Sequence, residues 1–115
     1  HCLNVVTEPE GTAGAVLFRA LEPPNARTQQ LTPKHKDSIK THGPGRLTKA
    51  LNITREQHNG INMTQSDSPL YLAVNPEAHD LQPEAITQTT RIGIQKATEY
   101  PWRFYRTDSP WVSVR

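Results

Sequence analysis

Apolar positions along the chain come in short clusters, each closed within a few residues by proline, glycine or a polar run. Residues 2–7 (CLNVVT) combine apolar and β-branched side chains and predict a strand. Residues 8–14 (EPEGTAG) predict a turn, and residues 15–21 (AVLFRAL) a second strand closed by Glu22-Pro23-Pro24. So short a connection predicts antiparallel pairing of the two. Arg19 interrupts the second strand. An exposed strand face would accommodate it, and so would a functional site.

Residues 25–42 show no hydrophobic period and predict a loop, basic over residues 27–42. The stretch GPGRLTKAL (residues 43–51) then predicts a short helix, with Pro44 in the first turn, where its missing N–H is not needed. Leu47, Ala50 and Leu51 recur at i, i+3 and i+4 as one narrow apolar stripe. Arg46 and Lys49 lie off that stripe, three residues apart, on a face of their own. Two glycines around a proline suit a backbone that approaches a ligand, and a helix start beside a positive charge suits an anion such as phosphate. The same glycines also suit a tight corner that needs only steric room.

Further along, Thr54 to His58 predicts a helical turn with Thr54 as N-cap and Gln57 completing a capping box. Strands are predicted at residues 69–74 (PLYLAV), 89–94 (TTRIGI), 102–105 (WRFY) and 111–114 (WVSV), with a turn around Pro83. Gly93 inside its strand marks a bulge or a close backbone approach.

A length of 115 residues allows one domain. With 34% hydrophobic residues and a mean hydropathy of −0.70, any core is modest. No apolar run approaches the roughly 20 residues that cross a bilayer. The single cysteine, Cys2, excludes an internal disulfide and suits a reducing, intracellular compartment. The chain opens at His1 inside an apolar run, which predicts a piece of a longer protein with part of its core beyond His1.

The net charge of +2 hides a segregation. Residues 27–55 hold seven basic side chains against Asp37 alone, residues 56–89 hold five acids and no lysine or arginine, and residues 91–115 hold five basic against two acidic. Two basic segments facing phosphates, with the acidic one turned away, is one reading; a solvated loop rich in lysine is the other.

Conventional catalytic patterns are missing. One cysteine and five scattered histidines do not make a zinc ligand set, and no Walker loop, GxGxxG, GxSxG or HExxH occurs. None of the glutamates has neighbours that mark it as a tuned acid or base.

Taken in order, "HCLNVVTEPEGTAGAVLFRALEP", "GPGRLTKALNI", "SPLYL", "TRIGI" and "YPWRFYRTDSPWVSVR" make the chain resemble the C-terminal part of the alkyladenine (3-methyladenine) DNA glycosylase family. The resemblance implies one α/β (α+β) domain over residues 1–115, with a curved, mostly antiparallel sheet and peripheral short helices. It implies a base-excision enzyme, monomeric when intact, whose partner is damaged double-stranded DNA. Such an enzyme flips an alkylated or deaminated purine out of the stack and hydrolyses its N-glycosidic bond, with no metal or cofactor.

By the same resemblance, Asn4 matches an asparagine that lines the base pocket and crowds out the 2-amino group of guanine. Arg19 matches an arginine that holds the attacking water. Ile92 and Gly93 match a segment whose backbone approaches that water and the DNA phosphates. Gly43, Gly45, Arg46 and Lys49 fall at the phosphate-facing helix start. The family's catalytic glutamate, its base-stacking tyrosines and its duplex-wedging tyrosine fall upstream of His1, so the chain alone is expected to be inactive. A non-catalytic module that binds duplex nucleic acid is the alternative, and a plain structural domain a third.

Overall fold

The structure, a computed structural model, describes residues 1–23, 34, 39–76 and 82–112. Most of the predicted basic loop, residues 27–33 and 35–38, lies outside the described residues. The chain divides into two compact units: His1–Ala73 with Pro110–Arg115, and Val74–Ser109.

In the first unit, β1 (Leu3–Val6) and β2 (Ala15–Phe18) form the predicted antiparallel hairpin. Its register pairs Leu3 with Phe18, Asn4 with Leu17, Val5 with Val16 and Val6 with Ala15. The Thr7 N–H closes the connecting turn on the Gly14 carbonyl at 3.1 Å. The second strand is shorter than its apolar run, because the chain changes partner after Phe18. Ala20 bridges His42 in antiparallel sense. On either side of that bridge the Leu21 N–H reaches the Thr41 carbonyl at 3.4 Å, and the Gly43 N–H reaches the Arg19 carbonyl at 3.0 Å.

The helix predicted after Gly43 is α1 (Pro44–Ala50). Gly43 caps it with φ 136° and ψ 141°, a backbone conformation open to glycine and strained for other residues. Its carbonyl accepts the Leu47 N–H at 2.9 Å. The apolar stripe is realised only in part. Leu47 is fully buried, whereas Ala50 and Leu51 are exposed. The helix stops at Ala50, and Asn52, at φ 53°, turns the chain so that Ile53 is buried next. The Ile53 N–H then bonds to the Thr48 carbonyl at 2.8 Å. Burying a leucine fully stabilises by about 1.5–3 kcal/mol, so Leu47 anchors this unit. Thr41 and Thr48 are buried polar residues, and both are satisfied. The Thr41 hydroxyl donates to the Leu21 carbonyl. Around the Thr48 hydroxyl, 3.1–3.2 Å away, lie the carbonyls of Gly45, Pro44 and His1.

A single turn, α2 (Arg55–His58), follows with Thr54 as N-cap. The Thr54 hydroxyl accepts the Gln57 N–H at 3.3 Å, as predicted. The return arm of the capping box differs: the His58 ring, not Gln57, meets the Thr54 backbone, its Nδ1 lying 3.1 Å from the amide nitrogen. Residues 69–74 do not form the predicted strand. Pro69 has no N–H to offer a ladder, and the Leu72 N–H makes one isolated bond, to the Met63 carbonyl.

The second unit holds another hairpin, β3 (Ile86–Thr89) with β4 (Arg103–Arg106), entered through the 3₁₀ turn Pro83–Ala85. The pairs are Ile86 with Arg106, Thr87 with Tyr105, Gln88 with Phe104 and Thr89 with Arg103. Its strands sit elsewhere than the sequence predicts. The first takes only Thr89 from the TTRIGI run and stops there, because Gly93 (φ 71°) and Ala97 (φ 54°) bend the following segment out of extended conformation. The second starts one residue late, because the Trp102 N–H turns back to the Tyr100 carbonyl at 2.9 Å. Of the strand predicted at 111–114, Trp111 and Val112 are not in strand, and residues 113–114 lie outside the described residues.

The mixed α/β class, with antiparallel strands and short helices, is the one predicted; among the described residues the strands group into two two-stranded sheets. No described helix is long and apolar enough to cross a membrane.

Candidate functional site

Residues singled out by sequence fall in both units. Asn4, Arg19, Gly43, Gly45, Arg46 and Lys49 belong to the first, Ile92 and Gly93 to the second.

Within the first unit a continuous chain of backbone bonds links most of them. Asn4 is exposed in the middle of β1, opposite Leu17. Cross-strand partners share a face of the pleat, and that face also carries Val6, 72% exposed, and its partner Ala15. Continuing the alternation past Phe18 puts Arg19 on the side of Leu17 and Asn4. Arg19 is itself exposed. An amide and a guanidinium thus stand on one open, largely apolar sheet face, the mixture from which binding surfaces are built.

The Arg19 carbonyl in turn holds the Gly43 N–H, so the start of α1 is tied directly to the end of β2. A Cβ on Gly43 would meet only Arg46 Cδ, at 4.0 Å, so glycine is needed there for its backbone angles rather than for room. No heavy atom beyond its chain neighbours and its own helix comes within 4 Å of a Cβ built on Gly45, and no unusual φ requires glycine there. At seven residues α1 is too short for its dipole to make an anion site. What the turn presents instead is the exposed Arg46 side chain, with Lys49 exposed in the last turn.

Arg46 is held. Its Nη1 lies 2.9 Å from His42 Nε2, one helical turn back. A guanidinium only donates, so Nε2 accepts, and the proton of the neutral ring sits on Nδ1. That Nδ1 is buried and has no hydrogen-bond partner among the described residues. Burial, and after it the Arg46 and Lys40 charges, hold the His42 pKa below its ordinary value. In the sequence His42 closes the basic loop of residues 27–42. Its i, i+4 spacing from Arg46 was the available signal.

In the second unit Ile92 is half-buried and Gly93 exposed, in a bend rather than a strand. Gly93 has φ 71°, so the glycine answers to backbone conformation. Arg91 secures the bend. Its guanidinium lies over the Trp102 ring, 5.4 Å from the centroid, and its Nη2 reaches the Lys96 carbonyl at 3.5 Å. Trp102 stacks in turn on Tyr100, with centroids 4.4 Å apart and rings 9° from parallel.

A general base with a raised pKa is commonly a buried carboxyl. Every described glutamate (Glu8, Glu10, Glu22, Glu56, Glu84 and Glu99) is exposed.

The family model described as methylpurine-DNA glycosylase matches residues 1–110. Among curated proteins, one from Prosthecochloris aestuarii, named "Putative 3-methyladenine DNA glycosylase", is 44% identical over 117 residues, which is 98% of this chain and 52% of that protein. Proteins of the same name from Chlorobium luteolum and Methanoculleus marisnigri are 41% and 44% identical over 116 residues. They align with 98% and 99% of this chain and with 56% and 59% of their own lengths. The chain therefore spans little more than half the length of these relatives. With a match running through both hairpins and the Gly43 turn, the chain belongs to the methylpurine-DNA glycosylase family.

Proposed function

We propose that the protein acts in DNA base-excision repair, as part of a glycosylase that removes alkylated or deaminated purines from duplex DNA. The observation that carries this reading is the family match over residues 1–110. The linkage of Asn4, Arg19 and the Gly43–Arg46 turn within one unit supports it.

In this reading the damaged nucleotide is rotated out of the helix, at a cost of a few kcal/mol that is least for a damaged or mispaired base. Asn4 lines the pocket and rejects guanine by crowding its 2-amino group. A water attacks C1′ of the sugar, the N-glycosidic bond breaks, and its electron pair leaves with the base. Arg19 orients that water. Its proton passes to a glutamate supplied by the part of the protein outside this chain, in keeping with the exposure of every described glutamate. Gly43, Gly45, Arg46, Lys49 and Gly93 face the phosphates, which fix register on the duplex and carry no sequence information. No metal or cofactor enters these steps.

The test compares binding of the chain to an undamaged duplex and to one carrying a single abasic-site analogue. Preference for the abasic duplex supports the glycosylase reading. Equal affinity for both, with a steep salt dependence, would replace it with that of a duplex-binding module held by phosphates alone.

A further inference from the structure

We infer that His42 is a positioning residue for Arg46: its neutral imidazole holds the guanidinium at the mouth of the Gly43 turn, ready for a DNA phosphate. This inference rests on the phosphate-facing reading of Arg46 and adds to it the device that pre-organises that side chain.

Arginine has a long side chain, and immobilising it on binding costs affinity. A partner that fixes it beforehand removes part of that cost. Carboxylates are the usual partners of surface arginines, and they would defeat the purpose, since a carboxylate cancels the charge that a phosphate seeks. A neutral imidazole accepts one N–H and leaves the full positive charge in place. Here the acceptor is His42 Nε2, at 2.9 Å from Nη1. Among the described residues nothing bonds Nη2 or Nε of the guanidinium, which leaves them for the bidentate geometry that phosphate favours.

The imidazole can act as a fixed post because its backbone is fixed. His42 forms the bridge with Ala20, its neighbour Thr41 is buried with its hydroxyl on the Leu21 carbonyl, and its other neighbour Gly43 is bonded to the Arg19 carbonyl. Arg46 is therefore referenced, through His42, to the same strand end that carries Arg19. Burial of the ring favours its neutral form, and so do the nearby Arg46 and Lys40 charges, since protonation at Nε2 would add a third charge beside them and remove the acceptor that Arg46 uses. Gly43 completes the arrangement, because its positive φ lets the chain turn between the post and the helix that bears Arg46.

The experiment is a set of anisotropy titrations of a duplex bearing one abasic-site analogue, at two salt concentrations. The proteins are the chain and its His42→Ala, His42→Gln, Arg46→Ala and His42→Ala/Arg46→Ala variants. Arg46→Ala is expected to weaken binding and to reduce the salt slope by about one. His42→Ala is expected to weaken it by about two- to tenfold, the range for releasing one long side chain. His42→Gln, whose amide oxygen reaches where Nε2 sits, should recover most of that loss. In the Arg46→Ala background, His42→Ala should cost nothing further.

Wild-type affinity in His42→Ala would overturn the inference. So would a His42→Ala loss that persists in the Arg46→Ala background, or one that glutamine fails to repair; these outcomes leave the phosphate role of Arg46 standing. An Arg46→Ala variant that binds like the wild type, or a chain that binds no duplex, removes that role and the inference with it.

Discussion

The two hairpins have the same plan and different support. Each pairs two four-residue strands in antiparallel register, and a two-stranded hairpin alone is marginal in water. β1–β2 passes its pairing on to residues 41–43 and belongs to a unit with Leu47, Ile53, Thr41 and Thr48 buried. In the β3–β4 unit, Val74–Ser109, no described residue is buried. Tyr100, Trp102 and Phe104 are all exposed there, and the stack of Arg91, Trp102 and Tyr100 lies at the surface. The contrast separates two ways of fixing a loop. The Gly43–Arg46 turn is fixed by backbone bonds and a buried helix residue, whereas the Ile92–Gly93 bend is fixed by one cation–π contact and a long carbonyl bond.

That contrast can be broken first at Leu47. Leu47→Ala should destabilise the first unit by about 2–5 kcal/mol, which for so small a core means loss of cooperative unfolding in urea. Amide protection at Leu51 and Ile53 should collapse with it. Gly43→Ala comes next, at about 1–3 kcal/mol, the cost of holding a non-glycine residue in a sparsely populated backbone region. Because the new Cβ meets nothing closer than 4.0 Å, the loss should appear in thermal unfolding without displacement of neighbouring side chains. In the second unit, Trp102→Ala removes the aromatic stack and the Arg91 contact, together worth on the order of 1 kcal/mol at an exposed site. Amide exchange should speed up over residues 91–94 and 103–106 and stay unchanged at Leu47.

The smallest effect is a pH dependence confined to the first unit. His42 has its folded pKa below the ordinary 6.5, through burial first and then the Arg46 and Lys40 charges. The unfolded chain therefore takes up the proton more readily than the folded one. The His42 contribution to stability is complete above pH 6.5, declines as the pH falls through that value, and levels off below the folded pKa. Urea midpoints across this window should decline less in His42→Gln than in the wild type. An equal decline in both would place the titration elsewhere.

Much of the first unit was legible in the sequence, and the reasons are local. A short turn of proline and glycines between two apolar runs leaves few alternatives to a hairpin, and Gly-Pro-Gly before an i, i+3, i+4 stripe specifies a helix start. Thr54 capped its turn as its residue type predicts. The failures arose where a competing partner or a local backbone bend decided the outcome. β2 ended early because residues 41–43 claimed Ala20 and its neighbours. The return arm of the Thr54 cap went to a histidine ring instead of Gln57. TTRIGI has strand composition, yet Gly93 and the pull of Arg91 onto Trp102 bend it. The Arg46–His42 contact pairs two basic residues, a combination that charge reasoning passes over until the neutral tautomer is considered.

The central claim is that Asn4, Arg19 and the Gly43–Arg46 turn form one surface that meets damaged DNA. Its most direct test is a ¹⁵N–¹H NMR titration of the chain with a duplex carrying a single abasic-site analogue. The claim predicts that the largest shift changes gather at the amides of Asn4, Leu17 to Arg19, His42, Gly43, Gly45 and Arg46. Changes concentrated instead in the acidic stretch from Glu56 to Asp67, or none at residues 42–46, would contradict it.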